Sequence, residues 1–165
     1  MPHSTYANAR QRNKEGIRQK WTESWYRDVA MQTGRFAIAN RLPPTLKPRQ
    51  HFTHTPQEVY GRLIQCRTGH GFFGEYYATF VPTEPIMCSC GEPRQTREHI
   101  LRDCPLFARQ RIHLREVSYN IILNEILGTE KGIKALAKFI EESSAFKKVG
   151  LEREGDLVVR REMAA

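Results

Sequence analysis

The stretch CSCGEPRQTREHILRDC, residues 88–104, decides how this chain folds. It brings Cys88, Cys90, His99 and Cys104 into one short segment that holds three of the four cysteines in the chain. Thiolates and a neutral imidazole are preferred ligands of Zn²⁺, and three sulfurs with one nitrogen complete a closed tetrahedral shell. A closed shell leaves no position for water, so these side chains predict a structural zinc ion without a catalytic role.

The residues around these ligands fit the same interpretation. Gly91 and Pro93 suit the tight turn that two ligands one residue apart require. Thr96 is placed to cap a short helix that carries His99 near its start, and Pro105 predicts where that helix ends.

Two other interpretations of the cysteines stay open, namely ordinary buried thiols and a disulfide. Residues 1–20 are polar and basic, without the apolar core of a secretory signal. We therefore expect an intracellular protein, nuclear or cytoplasmic, in a reducing compartment where clustered Cys and His favour a metal over a bridge. Cys88 and Cys90 are also poorly placed to pair with one another.

The positive charge is concentrated in the first part of the chain. Residues 1–70 hold 12 Lys/Arg against 4 Asp/Glu, whereas residues 71–165 hold 14 of each, so the whole net charge of +8 precedes residue 71. Clustered cations displace counterions from phosphate, which predicts a nucleic-acid partner. The predicted nucleic-acid-binding residues are Arg10, Arg12, Lys14, Arg18, Lys20, Arg35, Arg41, Lys47 and Arg49. The competing interpretation is a solvated helix face and a disordered basic arm that bind nothing.

Length and patterning predict one domain with loose ends. No run approaches the ~18 consecutive apolar residues of a membrane span, so no membrane partner is expected. The predicted division is a disordered segment at 1–9, a basic helix and proline-rich connector at 10–54, a helical zinc-binding domain at 55–148 and a flexible tail at 149–165.

The basic segment reads as a helix from Arg10 to about Met31. Ile17, Trp21, Trp25 and Val29 recur every four residues, which places them on one side of such a helix. We expect this stripe to pack on something outside the helix and to leave the basic residues exposed elsewhere.

The remaining pattern is helical throughout and predicts an all-α fold with a zinc-stapled turn. Thr55-Pro56-Gln57-Glu58 resembles a capping box, and Thr68-Gly69 is a helix end. A further helix, rich in aromatic residues, is predicted at 72–80. Its aromatic side chains are expected to pack in the core, which is favoured over a role in nucleotide binding. Three further helices are predicted at 105–118, 119–127 and 129–143, the last capped by Thr129.

The segment from Gln95 to Pro105 resembles the zinc-binding region at the C-terminal end of non-LTR retrotransposon polyproteins. That family carries C-x-C-G followed by E-T-x-x-H-(I/L)-L-x-x-C-P, and this chain matches both elements, with Gln95 in place of the usual Glu. Arg67-Thr-Gly-His70 resembles the R-T-G-H element that precedes the region, and Phe107-Ala-Arg-Gln-Arg111 resembles its following helix. The Trp21/Trp25 helix also resembles one in the fungal versions, in which the region follows a ribonuclease H domain, so the likeness spans about residues 10–148.

The resemblance implies that Cys88, Cys90, His99 and Cys104 are the zinc ligands, while the catalytic residues of the family do not carry over. A reverse transcriptase needs an Asp-Asp pair and ribonuclease H needs four clustered carboxylates. This chain has only Asp28, Asp103 and Asp156, widely spaced. We therefore do not expect an enzyme.

The predicted function is a non-catalytic, zinc-stabilised nucleic-acid-binding module derived from a retroelement polyprotein. Its expected partners are RNA or DNA, bound with weak sequence dependence, and the rest of such a polyprotein. The alternative is a protein-interaction domain that docks through the Trp21/Trp25 face and the aromatic cluster.

Overall fold

The computed structural model describes residues 5–31, 34–40, 42 and 54–148. Within these residues the secondary structure is helical and contains no strand, which confirms the predicted all-α class. The α-helices are α1 (Tyr6–Met31), α2 (Gln57–Thr68), α3 (Gly74–Phe80), α4 (Ile112–Arg115), α5 (Leu123–Gly128) and α6 (Glu130–Glu141). A π-helical turn (His99–Asp103) and a 3₁₀ turn (Pro105–Phe107) lie between α3 and α4.

Helix α6 is the centre of the core, where it packs against α2, α4 and α5. Ile133, Leu136, Phe139 and Ile140 recur at helical spacing along its buried face. The predicted cap is confirmed, because the Thr129 hydroxyl accepts a hydrogen bond from the Gly132 N–H at 3.0 Å.

Helix α2 ends as predicted but begins differently. Gly69 adopts the left-handed conformation at φ 72°, and its N–H donates to the Gln65 carbonyl at 3.0 Å. A Cβ at this position would come within 2.9 Å of the Arg35 Cβ, so glycine is required for space as well as for φ. The expected capping box at residues 55–58 is wrong, because Pro56 occupies the cap position and no side chain bonds there.

Four arginines are buried in the body and bind backbone carbonyls: Arg62, Arg67, Arg97 and Arg111. Arg67, in the R-T-G-H element, donates to Leu127 O at 2.9 Å and to Ala39 O at 3.1 Å. Because each guanidinium bonds to carbonyls of other segments, these side chains fasten separate parts of the body together.

The helices predicted at 105–118 and 119–127 are shorter than expected. Only the 3₁₀ turn and α4 are helical in the first, and α5 begins at Leu123 in the second. The Ser118 carbonyl and hydroxyl accept bonds from the N–H groups of Ile121 (2.8 Å) and Ile122 (3.0 Å). Ile121 has a positive φ of 49°, so the chain turns there and cannot continue a helix.

Helix α1 begins at Tyr6, and residues 6–9 are helical where we expected disorder. The extra turn has a local cause, because the Thr5 hydroxyl accepts a hydrogen bond from the Asn8 N–H at 3.4 Å. Ile17 and Trp21 are 68% and 45% exposed, so these two residues of the apolar stripe are not covered by the rest of the described chain. None of the described helices is both long and apolar enough to cross a membrane.

Candidate metal centre

The ligand atoms of Cys88, Cys90, His99 and Cys104 all lie within 4.8 Å of one another. The Cys88 and Cys104 sulfurs are 3.7 Å apart, and the Cys90 sulfur is 3.2 Å from His99 Nε2. Tetrahedral zinc with ordinary bond lengths would place two sulfurs about 3.8 Å apart and a sulfur and nitrogen about 3.6 Å apart. The four side chains could therefore hold a metal ion, and closing the shell requires only small movements.

A tight turn in the first half of the metal loop (residues 88–104) presents the first two ligands. The Cys88 N–H donates to Glu92 O and the Gly91 N–H donates to Cys88 O, both at 2.9 Å. Gly91 lies at φ 98°, a region that side chains rarely adopt, which explains the glycine after Cys90.

The second half of the metal loop is a capped π-helical turn. The predicted cap is confirmed, since Thr96 Oγ1 accepts a hydrogen bond from the His99 N–H at 3.0 Å. The turn closes through the Cys104 N–H, which donates to His99 O at 2.7 Å. This five-residue closure is wider than an α-turn, and such turns recur at functional sites. It brings the imidazole and the last thiol to the same side of the loop.

The surroundings of the cluster act in opposite directions on two of its thiols, Cys104 and Cys90. Cys88 and Cys104 are buried, and Cys90 and His99 are half-buried. Burial, together with the neighbouring thiols, raises the pKa of Cys104 to about 12. The backbone N–H of Glu92 favours the thiolate of Cys90 and lowers its pKa. A bound cation stabilises thiolates, so metal binding would release protons from this cluster.

Two side chains that sequence reasoning did not single out support the ligands. Arg111 Nε donates to Leu101 O at 2.9 Å, and Arg111 Nη2 donates to Cys104 O at 2.5 Å. The amide of Gln95, the residue that replaces the usual Glu, points at the Cys88 sulfur at 3.8 Å. An amide can donate to a thiolate and a carboxylate cannot, so glutamine suits this position.

A buried ion pair ties the metal loop to the body. The Arg97 N–H and guanidinium both bond to Glu75, with an ion-pair distance of 3.0 Å. Arg97 Nη1 also donates to Arg35 O at 3.0 Å and to Cys66 O at 3.3 Å. Burial of Glu75 opposes its ionisation, but the hydrogen bonds and charge of Arg97 outweigh that effect and lower the pKa of the carboxyl.

The predicted nucleic-acid-binding residues divide into three groups. Exposed on α1 are Arg10, Arg12, Lys14, Arg18 and Lys20. Arg35 is partly buried, donates to Thr79 Oγ1 at 2.7 Å and lies over the Phe80 ring, 4.9 Å from its centroid. Outside the described residues lie Arg41, Lys47 and Arg49.

The aromatic cluster at 72–80 is core only in part. Phe73 is fully buried, whereas Phe72 and Phe80 are 42% and 53% exposed. His70 of the R-T-G-H element packs its ring against Tyr76 and Phe80, at centroid distances of 5.2 and 5.7 Å. This motif therefore contributes packing around α3 through His70, as well as the carbonyl bonds of Arg67.

Fold and site together describe a small helical domain built around a Cys-Cys-His-Cys cluster. Over an alignment of 138 residues that covers 79% of this chain, the sequence is 33% identical to the putative 115 kDa protein in type-1 retrotransposable element R1DM of Drosophila melanogaster. A shorter stretch of 51 residues, 30% of the chain, is 39% identical to the retrovirus-related Pol polyprotein from type-1 retrotransposable element R1 of Popillia japonica. No family model and no solved structure matches the chain.

This similarity to R1 polyproteins supports a retrotransposon origin for the chain. The aligned stretches cover 13% and 21% of the two relatives, so the chain spans a small part of either length.

Proposed function

We propose that this chain is a non-catalytic, zinc-stabilised nucleic-acid-binding module from the C-terminal region of a retrotransposon polyprotein. The observation that carries the proposal is the four-ligand cluster of Cys88, Cys90, His99 and Cys104, in a chain similar to R1 polyproteins. Three thiolates and one imidazole select zinc among the common divalent ions. With all four positions taken by protein, the ion would hold the loop in place.

Nucleic acid is the partner that the exposed charge favours. The first half of α1 presents Arg10, Lys14 and Lys20 to solvent, with Glu15 as the acidic residue among them. Such cations make phosphate contacts, which set affinity and salt dependence but do not read base identity. RNA and DNA are both candidates, bound with weak sequence dependence.

The non-catalytic part of the proposal is supported by the placement of the aspartates. Asp28 lies on the exposed α1 and Asp103 in the π-helical turn, while Asp156 lies outside the described residues. A two-metal site needs several carboxylates around one point. The rest of a polyprotein as partner, a nuclear or cytoplasmic location and a fungal lineage belong to the same proposal. The relatives found come from Drosophila melanogaster and Popillia japonica.

Metal analysis and an electrophoretic shift series test the proposal on purified protein. We expect one zinc per chain, and micromolar binding of RNA or DNA that weakens steeply between two salt concentrations. Protein that folds with no metal would contradict the zinc assignment. Protein that retains zinc but shifts no nucleic acid at low salt would contradict the binding assignment.

The exposed stripe on α1 supports one alternative, a protein-interaction domain that docks through Ile17 and Trp21. Apolar docking is insensitive to salt, whereas phosphate binding is not. A partner captured equally well at low and high salt, with no nucleic acid bound, would favour this alternative.

A further inference from the structure

Three cations and both indoles of α1 lie on the same side of the helix. Residues three or four apart are neighbours on a helix surface, because one turn takes 3.6 residues. This spacing links one row of residues, which we call the mixed face: Arg10, Lys14, Ile17, Arg18, Trp21 and Trp25, with the acidic Asp28 at its C-terminal end. The expectation that the apolar stripe faces away from the cations is therefore wrong for Arg10, Lys14 and Arg18. Arg12, Lys20, Tyr26 and Arg27 lie off this face.

The mixed face is open to solvent over most of its length. Its three cations are exposed, Ile17 and Trp21 are 68% and 45% exposed, and Trp25 is partly buried. Trp25 Nε1 is buried and has no hydrogen-bond acceptor among the described residues. Exposed tryptophan is costly in water, so this face is suited to a ligand.

We infer that the mixed face binds single-stranded nucleic acid, with phosphates on Arg10, Lys14 and Arg18 and a base stacked on Trp21. The inference rests on the proposed function and deepens it by naming the class of nucleic acid. Proteins that hold single strands combine a cationic track with aromatic side chains on which bases stack. The mixed face supplies both along one line.

A single strand fits this surface better than a duplex does. The faces of its bases are accessible, whereas a duplex would have to unstack a base pair to admit an indole. Helices that lie in a membrane interface place their cations opposite their tryptophans, whereas here Arg10, Lys14 and Arg18 lie on the side of the tryptophans. A second copy in parallel would bring the same three cations against one another.

Two charge-matched triple variants test the phosphate contacts. The test variant, Arg10→Ala/Lys14→Ala/Arg18→Ala, removes the three cations of the mixed face. The control variant, Arg12→Ala/Lys20→Ala/Arg27→Ala, removes three cations from elsewhere on α1. Fluorescence anisotropy with a labelled single-stranded 20-mer across a salt series gives the slope of log K against log salt. We expect the first variant to lower the slope by about 2, at about 0.7 for each single-strand contact, and the control to change it much less.

A matched pair of aromatic variants tests the stacking. Trp21→Ala should weaken single-strand binding about tenfold or more, while Tyr26→Ala, at an exposed position off the mixed face, should leave it unchanged. Heparin, a polyanion without bases, should bind both variants as it binds the parent chain. In a Trp25→Phe chain Trp21 is the sole tryptophan, and the single strand but not heparin should quench its fluorescence.

The outcomes separate this inference from the proposed function. Equal losses in both triple variants, or unchanged binding by Trp21→Ala, would leave a nucleic-acid-binding protein and overturn the mixed face. Tighter binding of the matched duplex would overturn it as well. So would anionic vesicles that bind in place of the strand, or a dimer that Trp21→Ala dissociates. Binding of no nucleic acid by a zinc-loaded parent chain would overturn both.

Discussion

The metal loop and helix α1 are built in opposite ways. The loop buries Cys88 and Cys104, and the guanidinium of Arg111 binds backbone carbonyls on both sides of its last turn. Helix α1 exposes nearly all its described side chains, and the side-chain hydrogen bonds between its described residues are local, such as Gln19 to Glu23 at 3.0 Å. Through Arg97 the loop also contacts Glu75 and the Cys66 carbonyl, so its conformation depends on residues distant in sequence, whereas the described contacts of α1 are with its own neighbours.

This difference separates two kinds of function in one short chain. A segment packed on a core, with four clustered side chains that could hold a metal ion, is suited to fixing geometry. An exposed helix with cations and indoles on one side is suited to meeting a partner. Changes to the loop should therefore act on stability, and changes to α1 should act on binding and leave the body intact.

The largest expected effect is loss of the metal. Cys104→Ser removes a fully buried ligand, and structural zinc contributes about 10–16 kcal/mol of binding energy in zinc-finger peptides. That exceeds most of the ~5–15 kcal/mol stability of a typical domain. We expect the variant to purify without zinc, to lose much of its helical circular dichroism and to melt without a cooperative transition.

Cys66→Ser is the control for this prediction. Cys66 is fully buried but lies outside the cluster, and burial raises the pKa of its thiol to about 12. This variant should keep its zinc. Its free energy of unfolding should fall by about 1–3 kcal/mol, the cost of burying a hydroxyl group. If a chelator leaves the circular dichroism and melting temperature of the parent chain unchanged, the metal does not hold the fold.

The next largest effect should come from the Arg97–Glu75 pair. Arg97→Met leaves the largely buried Glu75 carboxylate without its partner, a change that typically costs about 3–5 kcal/mol. Arg94→Met, at an exposed position three residues earlier, should stay within about 0.5 kcal/mol in urea denaturation. Equal midpoints for the two variants would show that the ion pair does not tie the metal loop to the body.

The Arg97–Glu75 pair also predicts that the stability of the fold depends on pH. The pKa of Glu75 is lower in the folded state than in the unfolded state, where it is about 4.3. The ionised Glu75 therefore contributes to folding stability above the unfolded pKa, and this contribution is lost as the pH falls through the folded pKa. Glu75→Gln should be less stable than the parent at neutral pH, and the gap should narrow on acidification. A gap that stays constant from pH 7 to pH 3 would contradict this prediction.

Local signals in the sequence were enough to predict much of this fold. The ligand set, the Thr96 and Thr129 caps and the Gly69 helix end each depend on residues a few positions apart, and the structure contains all of them. The predicted cap at Thr55 is wrong because Pro56 occupies the cap position.

The buried arginines could not be predicted by the same route. Arginine is mostly found at the protein surface, so a sequence alone predicts that it is exposed. Only the fold shows that Arg67 donates a hydrogen bond to Leu127 O and that Arg97 forms an ion pair with Glu75. The R-T-G-H element was the available signal for Arg67. The helix predicted at 105–118 is interrupted between Phe107 and Ile112, and there the guanidinium of Arg111 donates to the Leu101 and Cys104 carbonyls, a contact that the sequence pattern does not show.

A smaller effect is expected where two helices of the body meet. At Gly132, in the first turn of α6, a Cβ would lie 2.0 Å from Glu125 O and 2.5 Å from Ile126 O, and backbone cannot easily move aside. Gly132→Ala should therefore destabilise the chain by about 1–3 kcal/mol, the usual cost of overpacking. Gly61→Ala, within α2, has open space around its Cβ and should stabilise by about 0.5–1 kcal/mol. Thermal melts of both variants would show shifts of opposite sign.

The smallest expected effect is the sharpest test of the comparison. Gly16 lies in α1 with nothing within 4 Å of an added Cβ, so Gly16→Ala removes the same helix penalty as Gly61→Ala, up to about 1 kcal/mol. Because α1 is exposed, that gain should stay local, with more helical circular dichroism and an unchanged melting midpoint for the body. Gly61→Ala should instead raise the midpoint by a few degrees.

The Gly16→Ala variant should bind a single strand slightly more tightly. Gly16 lies off the mixed face, and a helix that is already formed loses less conformational freedom when it binds. A midpoint raised equally by both glycine variants would mean that α1 folds together with the metal-bound body, and the division between the two regions would not hold.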